Sequence, residues 1–334
     1  MQINNYLKTL VTVSGLIFAI ACCAKTSIVT PLQQEKIANF IKLATQKTPY
    51  SKEELNTIFA EITLHNWIIE TMQKPAEKTM TWSRYKKIFI NKERLKAGLK
   101  FINEHADTLN RVAKKYQVDK YVIAAIIGVE TYFGKIKGKH KVIDTLSTLS
   151  FIDFRRNKFF QSELIHFLNF AYKNNTDVFS YKGSYAGAMG YGQFMPSSIN
   201  NYAVDADQDN IIDLYNNTKD AIASVANYLA KHRWQIDKEV AIKLMPKPKF
   251  ILPKQSIKPY TSLQKIYDAG FTSHRKDINP KLAASIITLD GNQGIEYWAV
   301  LDNFYVISRY NPSKLYSMAV YSLSRILRTG KIQS

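Results

Sequence analysis

The chain of 334 residues holds almost no cysteine: Cys22 and Cys23 are its two, adjacent and close to the N-terminus. From Ala24 onward there is no thiol, which excludes both a disulfide framework and a cysteine-based zinc site. The six histidines show no H-E-x-x-H spacing, so a zinc peptidase lacks its ligands. No G-x-S-x-G elbow is present for a serine hydrolase, and the one glycine-rich stretch is not followed by the G-K-[ST] of a phosphate loop. Internal repeats, low-complexity segments and compact basic blocks that would read a nucleic-acid groove are also missing. Long apolar runs are scarce, and Leu10–Ala21 is too short for a membrane span.

What that short run suits is export. Met1–Ala21 carries one charge, Lys8, ahead of the apolar stretch, the pattern of a signal peptide. It ends I-A-C-C, and small residues before Cys22 fit a bacterial lipoprotein cleavage site with Cys22 as the lipid-bearing residue. Cys23 is the alternative anchor, and an uncleaved anchor helix the alternative reading. The formal net charge is +19, or +18 (19 − 1) once Lys8 is removed. A charge of that size implies polyanionic surroundings: nucleic acid, anionic lipid or an acidic wall polymer. For an exported protein, nucleic acid is the poor option.

The patterning is mainly helical. Residues 22–81 read as an N-terminal helical region, with apolar spacing over Glu35–Gln46 and a capping box, Ser51-x-x-Glu54, opening a helix through about Thr71. Asn91 can cap the next, whose stripe of Leu95, Leu99, Ile102, Leu109, Val112 and Tyr116 reads as core. Lys120–Gly134 leaves no polar face and predicts a helix buried all round, capped by Asp119 and stopped by Gly134. Asp144 reads as a helix cap, and Asp153 opens a further helix with Arg155 and Arg156 near its start. Pro246, Pro248, Pro253 and Pro259 exclude a regular helix, and the alternating segments beyond them read as strands. We therefore divide the chain into a signal peptide (1–21), the N-terminal helical region (22–81), a core (82–237), a small β-rich α+β subdomain (238–306), and a C-terminal segment (307–334) whose helix starts at Ser313.

Three constellations carry chemistry. Glu130 is the one ionisable group in the apolar rod and sits in its last turn. Burial and the negative end of the helix dipole both favour the protonated form, which a general acid requires. A structural ion pair, or a carboxylate that reaches solvent, is the competing reading. Lys182–Ser198 packs Gly183, Gly187, Gly190 and Gly192 around Ser184, Tyr191, Gln193 and Met195, groups suited to gripping a sugar where backbone turns sharply or approaches a ligand. Finally, Asp205, Asp207, Asp209 and Asp213 fall at positions 1, 3, 5 and 9 of an EF-hand-like loop, with the Ile211 carbonyl at position 7. Asn210 replaces the turn glycine, a mild change because Asn tolerates the left-handed conformation. Asn216 replaces the bidentate Glu, so a carboxylate from further on is needed. Unpaired, these carboxylates would repel one another, which argues for a structural cation over a solvated acidic turn.

V-I-A-A-I-I-G-V-E-T-Y-F-G, T-L-S-F-I-D-F-R-R-N-K-F-F, G-S-Y-A-G-A-M-G-Y-G-Q-F-M-P-S-S and A-I-A-S-V-A-N-Y, in that order, resemble the membrane-bound lytic transglycosylase B family over about residues 82–234, with a further match near Arg309–Met318. The resemblance implies a lysozyme-like α+β core and cleavage of peptidoglycan glycan strands to 1,6-anhydromuramoyl products, with no catalytic cofactor. It implies Glu130 as the single acid and then base. Ser184 and Gln193 would hydrogen-bond the sugar; Tyr85, Tyr228, Tyr310, Asn311 and Tyr316 would line the cleft. Asp220 would complete a calcium set with Asp205, Asp207, Asp209 and Ile211, within a loop spanning residues 205–220. Arg155 and Arg156, two cations opposing the helix dipole, would meet stem-peptide carboxylates, unless they form an internal salt bridge. The expected protein is a monomer, lipid-anchored on the periplasmic side of the outer membrane, with glycan strands and not nucleic acid as its partner. A water-using muramidase on the same fold and a silent wall-binding protein are the rivals.

Overall fold

A computed structural model describes residues 29–73 and 80–332. The signal-peptide residues and the lipidation candidates Cys22 and Cys23 lie outside them. The chain forms two compact units, Met1–Lys78 with Glu130–Ser224, and Thr79–Val129 with Val225–Ser334.

In the first unit, Thr30 and Gln33 make a capping box that opens α1 (Pro31–Lys47), and Ser51 and Glu54 do the same for α2 (Lys52–Glu61). The helix expected through Thr71 is broken: α2 stops at Glu61 and α3 (Asn66–Met72) begins after a gap. The backbone amides of Thr63 and His65 turn instead to side chains of α8 (Val142–Phe151), namely Asp144 Oδ1 at 3.0 Å and Thr148 Oγ1 at 3.1 Å. Asp144 is therefore not a cap. It lies inside α8, whose ten residues are all buried, and burial pushes its carboxyl up from the usual range. The next helix, α9 (Asn157–Lys173), starts four residues later than Asp153. Asn157 makes that turn: its Nδ2 donates to the carbonyls of Leu149 and Ile152, ends that α8 would otherwise leave unpaired. Phe40 of α1, Phe59 of α2 and Phe151 of α8 meet edge to face at 5.4–6.0 Å. A two-stranded ladder, β1 (His140–Lys141) with β2 (Lys182–Gly183), and α10 (Pro196–Tyr202) complete this unit together with the start of α11 (Thr218–Lys231).

The second unit holds α4 (Trp82–Phe89), α5 (Lys92–Glu104), α6 (Ala106–Tyr116) and most of α7 (Lys120–Thr131). Asp119 caps α7 as expected, its Oδ1 accepting the Tyr121 amide at 2.8 Å. The stripe over α5 is displaced from the one read in sequence: Arg94, Gly98 and Phe101 are buried, whereas Leu99 is 38% exposed. A guanidinium in place of leucine is explained by its partners. Arg94 donates to the Gly128 carbonyl in the last turn of α7 and lies 5.3 Å from the Phe89 ring centroid.

The remainder of this unit is the β-rich segment. β3 (Ala241–Pro246), β4 (Thr261–Ser262), β5 (Phe271–Thr272), β6 (Ala283–Gly291) and β7 (Gly294–Val300) form an antiparallel sheet ordered β4-β6-β7-β3-β5, with α12 (Leu263–Asp268) on it. The Gly291–Gly294 turn closes a β6–β7 hairpin in which Gly291 pairs with Gly294, the latter at φ +108°. Ile242, Leu244, Ile266, Phe271, Ile286 and Ala299 make the core of this sheet. α13 (Asp302–Tyr310) and α14 (Lys314–Thr329) end the described chain, and Ser313 caps α14 where the sequence placed its start.

Candidate active site

Glu130 is 6% exposed, after a run from Ile123 to Ile127 that is wholly inaccessible. The helix ends one residue later, and its stop is more elaborate than a single glycine. Tyr132, Phe133 and Gly134 all adopt left-handed backbone, at φ 53°, 58° and 84°. Two such residues with side chains cost energy and persist only where surroundings dictate them. Here the glycine-rich stretch does so. Thr131 Oγ1 donates to the Tyr191 carbonyl at 2.9 Å and accepts the Gly134 amide at 3.0 Å. The Tyr191 ring lies against Gly134, filling the space a Cβ would need. Lys137 Nζ stands 4.6 Å from the centroid of the same ring and donates to the Tyr215 carbonyl.

The glycine-rich stretch is itself rigid. Gly183 bridges to Met189, and Met189 to Phe194. Gly187 and Gly190 take φ of +81° and +70°, and a Cβ on Gly190 would strike the Leu214 backbone. Ser184 is 1% exposed, and its Oγ accepts the amides of Ala186 at 3.2 Å and Ala188 at 3.0 Å, leaving the hydroxyl proton for another acceptor. Gln193, at φ 48°, gives its Nε2 to the carbonyls of Gly190 at 2.9 Å and Lys137 at 3.2 Å. Its Oε1 is buried with no hydrogen-bond partner. An orphan acceptor in a residue 7% exposed is fitted to receive a hydrogen-bond donor.

Three other carboxylates are buried among the described residues, and each is committed to backbone. Asp144 holds the Thr63 amide; Glu163 accepts the Ser197 amide at 2.9 Å and its hydroxyl at 2.7 Å; Asp220 accepts the amides of Ala206 and Asp213. Arg155 and Arg156 are exposed ahead of α9 and form no ion pair among the described residues. The Arg156 guanidinium lies 4.2 Å from the Phe159 ring centroid.

In the acidic loop, oxygens of Asp205, Asp207 and Asp209 lie within 4.8 Å of one another. Asn210 has φ +70°, the left-handed conformation of the residue it replaces in the loop pattern. Asp220 is wholly buried and pins the loop through its two amide contacts at 2.8 and 2.9 Å, while burial pushes its carboxyl up from the usual range. Asp213 Oδ1 accepts the amides of Tyr215 and Asn216. Lys219 Nζ reaches Asp207 at 3.4 Å. A hard, all-oxygen donor set of three convergent carboxylates fits a calcium ion.

In the second unit, three of the expected cleft tyrosines form one row: Tyr228 meets Tyr310 edge-on at 4.8 Å, and Tyr310 runs parallel to Tyr316 at 6.5 Å. The Tyr228 hydroxyl donates to the Arg309 carbonyl, and Asn311 Oδ1 accepts the Ser313 amide at 3.2 Å. Tyr85 and Tyr316 are fully buried, and Tyr85 packs on Phe89. Sequence reasoning missed Thr131, Lys137 and Arg94. Only Thr131, beside Glu130, carried a positional hint.

Comparison with known proteins places this arrangement. The family described as transglycosylase SLT domain matches residues 32–325. The membrane-bound lytic murein transglycosylase B of Escherichia coli (strain K12) is 36% identical over 303 residues, 88% of this chain and 83% of that protein. The catenated lytic transglycosylase SltB1 of Pseudomonas aeruginosa superposes with a TM-score of 0.83 at 37% identity, covering 90% of this chain and 98% of that one. The Escherichia coli lytic transglycosylase Slt35, solved in complex with calcium, gives 0.82 at 36%, covering 89% and 94%. The chain is thus similar to these proteins in sequence and fold over most of its length, and it belongs to the SLT-type lytic transglycosylases, lysozyme-like enzymes that cleave peptidoglycan.

Proposed function

We propose that Glu130 performs both proton transfers of a cleavage that uses no water. Its carboxyl protonates the oxygen of the β-1,4 bond between N-acetylmuramic acid and N-acetylglucosamine, and the C1–O4 bond breaks. The resulting carboxylate then takes the proton of the muramoyl C6 hydroxyl as O6 bonds to C1 of the same sugar. A 1,6-anhydro end forms, the acid is restored, and no nucleophile from the protein is required because attack within one ring has the advantage of proximity. The observation that carries this reading is the place of Glu130, 6% exposed at the end of the apolar helix, with the neighbouring Thr131 bonded to the glycine-rich stretch.

The Gln193 Oε1 orphan and the Ser184 hydroxyl proton support their roles in holding the sugar beside Glu130, with Tyr191 as an adjoining face. Tyr310 and Asn311 are assigned to the glycan contacts of the second unit, with the buried Tyr228 and Tyr316 backing the Tyr310 ring and Tyr85 in the core. The exposed guanidinium groups of Arg155 and Arg156 suit stem-peptide carboxylates. Asp205, Asp207, Asp209 and the Ile211 carbonyl would hold a structural calcium, with Asp220 and Asp213 shaping the loop around it; the calcium complex of the Escherichia coli relative supports this. Cys22, ahead of the described residues, would carry the lipid that anchors the enzyme at the periplasmic face of the outer membrane.

Mass spectrometry of the muropeptides released from purified peptidoglycan tests the mechanism. The expected product is one water lighter than the reducing muropeptide, and Glu130→Gln is expected to lower its release by about 10²–10⁴-fold, the usual contribution of general acid–base catalysis. Reducing ends from the unaltered enzyme would instead mean hydrolysis. Release that survives in Glu130→Gln would remove Glu130 from the role.

A further inference from the structure

The proline-rich stretch after β3 has no part in the chemistry above, yet it has the most unusual surface of the second unit. Between Pro246 and Tyr260 there are four lysines, Lys247, Lys249, Lys254 and Lys258, and no acidic residue. In their midst Phe250, Ile251 and Leu252 stand consecutively in solvent, at 38%, 79% and 41% exposure. Isolated exposed apolar side chains need no explanation, but three in a row on one loop do.

The loop is not a slack segment whose side chains could turn inward. Four prolines restrict it, and its backbone is pinned at both ends: Lys247 and Ile251 donate to the carbonyls of Gly270 and Ala269 in the turn after α12, and Ser256 and Tyr260 to those of Ile286 and Ala284 in β6. The Tyr260 hydroxyl crosses the loop to the Lys254 carbonyl at 2.6 Å. Phe250 is held from beneath by the rings of Phe271 at 5.1 Å and Tyr297 at 5.6 Å. Ile295, two residues before Tyr297 on the same face of β7, is 51% exposed. Phe250 and Ile251 also line an open groove of about 440 Å³ with Ala269, Gly270 and Asp268. Asp268 is the acid nearest the loop in that groove, and its Oδ1 accepts from Gln264 at 2.8 Å.

We propose that Phe250–Leu252 with its flanking lysines is a docking loop for the surface of an anionic phospholipid bilayer. Apolar side chains at the tip would enter the boundary between headgroups and acyl chains, and the lysines on both sides would keep their ammonium groups among the phosphates. The charge complementarity selects a negatively charged surface, worth about fivefold in binding for each lysine. A protein partner fits the feature less well, because a stable interface needs about 800 Å² on each side with a broad apolar centre, whereas this is a narrow tip between cations. An acidic polymer would use the lysines but leave Ile251 and Leu252 without a role. The inference does not depend on the catalytic assignment or on the lipid anchor.

The test uses the chain from Ala24 onward, which keeps every described element and has no cysteine. Sedimentation with vesicles of phosphatidylcholine containing one quarter phosphatidylglycerol is compared with phosphatidylcholine alone. Binding to the anionic vesicles only is expected, with at least a tenfold loss in the double variant Ile251→Ser/Leu252→Ser. Lys249→Gln/Lys254→Gln is expected to lose about 25-fold. In parallel, Ile251→Cys carrying an environment-sensitive fluorophore is expected to shift to the blue on the anionic vesicles. Peptidoglycan release in solution should be unchanged in the Ser and Gln variants, which shows that they fold. Binding undiminished in Ile251→Ser/Leu252→Ser, equal binding to neutral vesicles, or no blue shift would each overturn the proposal.

Discussion

Gly134 shows how a single residue without a side chain can position the acid proposed for catalysis. It lies four residues after Glu130, at φ +84°, with the Tyr191 ring in the space that a Cβ would occupy. Substitution by alanine therefore meets two penalties, left-handed strain of about 1–3 kcal/mol and overpacking of about 1–3 kcal/mol. Moving the tyrosine ring aside would cost its contact with Lys137. In Gly134→Ala we expect circular dichroism to keep its helical signal while the melting temperature falls by several degrees and anhydro-muropeptide release drops at least tenfold. Unaltered turnover in a folded variant would show that the turn does not position Glu130. Gln193 and Ser184 follow the same logic, since each is fixed through backbone groups and presents one remaining polar function, an acceptor and a proton respectively.

At the scale of elements, the acidic loop invites the clearest experiment. Asp205, Asp207 and Asp209 converge although like charges repel, and the loop is tied through Asp220, Asn217 and Lys219. A cation that binds the folded loop stabilises it by about 2.7 kcal/mol at one hundred times its dissociation constant. Adding calcium to chelator-treated protein should raise the melting temperature, and Asp205→Asn with Asp207→Asn should abolish the increment while leaving the calcium-free melting point almost unmoved. An identical calcium increment in the double variant would place the ion elsewhere. Elements also show what was legible in the sequence. The all-apolar α7 and the caps at Ser51, Asn91, Asp119 and Ser313 could be read because each depends on residues within one turn. The break after Glu61 could not, since it is set by Asp144 and Thr148, more than eighty positions away. The shifted face of α5 was hidden for a similar reason: Arg94 is buried by its bond to Gly128, and periodicity alone gives that place to Leu95 or Leu99. In the site, Glu130 stood out as the lone acid in an apolar rod, whereas the left-handed Tyr132–Phe133 pair adjoins a loop some sixty residues on.

Over the whole molecule the governing quantity is the charge of +19. The ion pairs seen, such as Lys100–Glu104 and Arg275–Glu239, join side chains that are about half exposed or partly so, and contribute at most about 1 kcal/mol each. A large cationic excess costs stability through self-repulsion, so its advantage must lie in association. Peptidoglycan with free stem-peptide carboxylates is a polyanion, and attraction to it is screened over about 10 Å at 0.1 M salt and 3 Å at 1 M. Raising salt from 0.05 to 0.5 M should therefore lower kcat/KM on intact peptidoglycan at least fivefold, through KM, with kcat at saturation nearly constant. Peptidoglycan whose free carboxyls have been converted to amides supplies the control. It keeps the glycosidic bonds but loses the negative charge, so its kcat/KM should change by less than twofold over the same range. An equal fall on both substrates would mean that salt acts on the chemistry or the fold, and that the charge serves some surface other than the substrate.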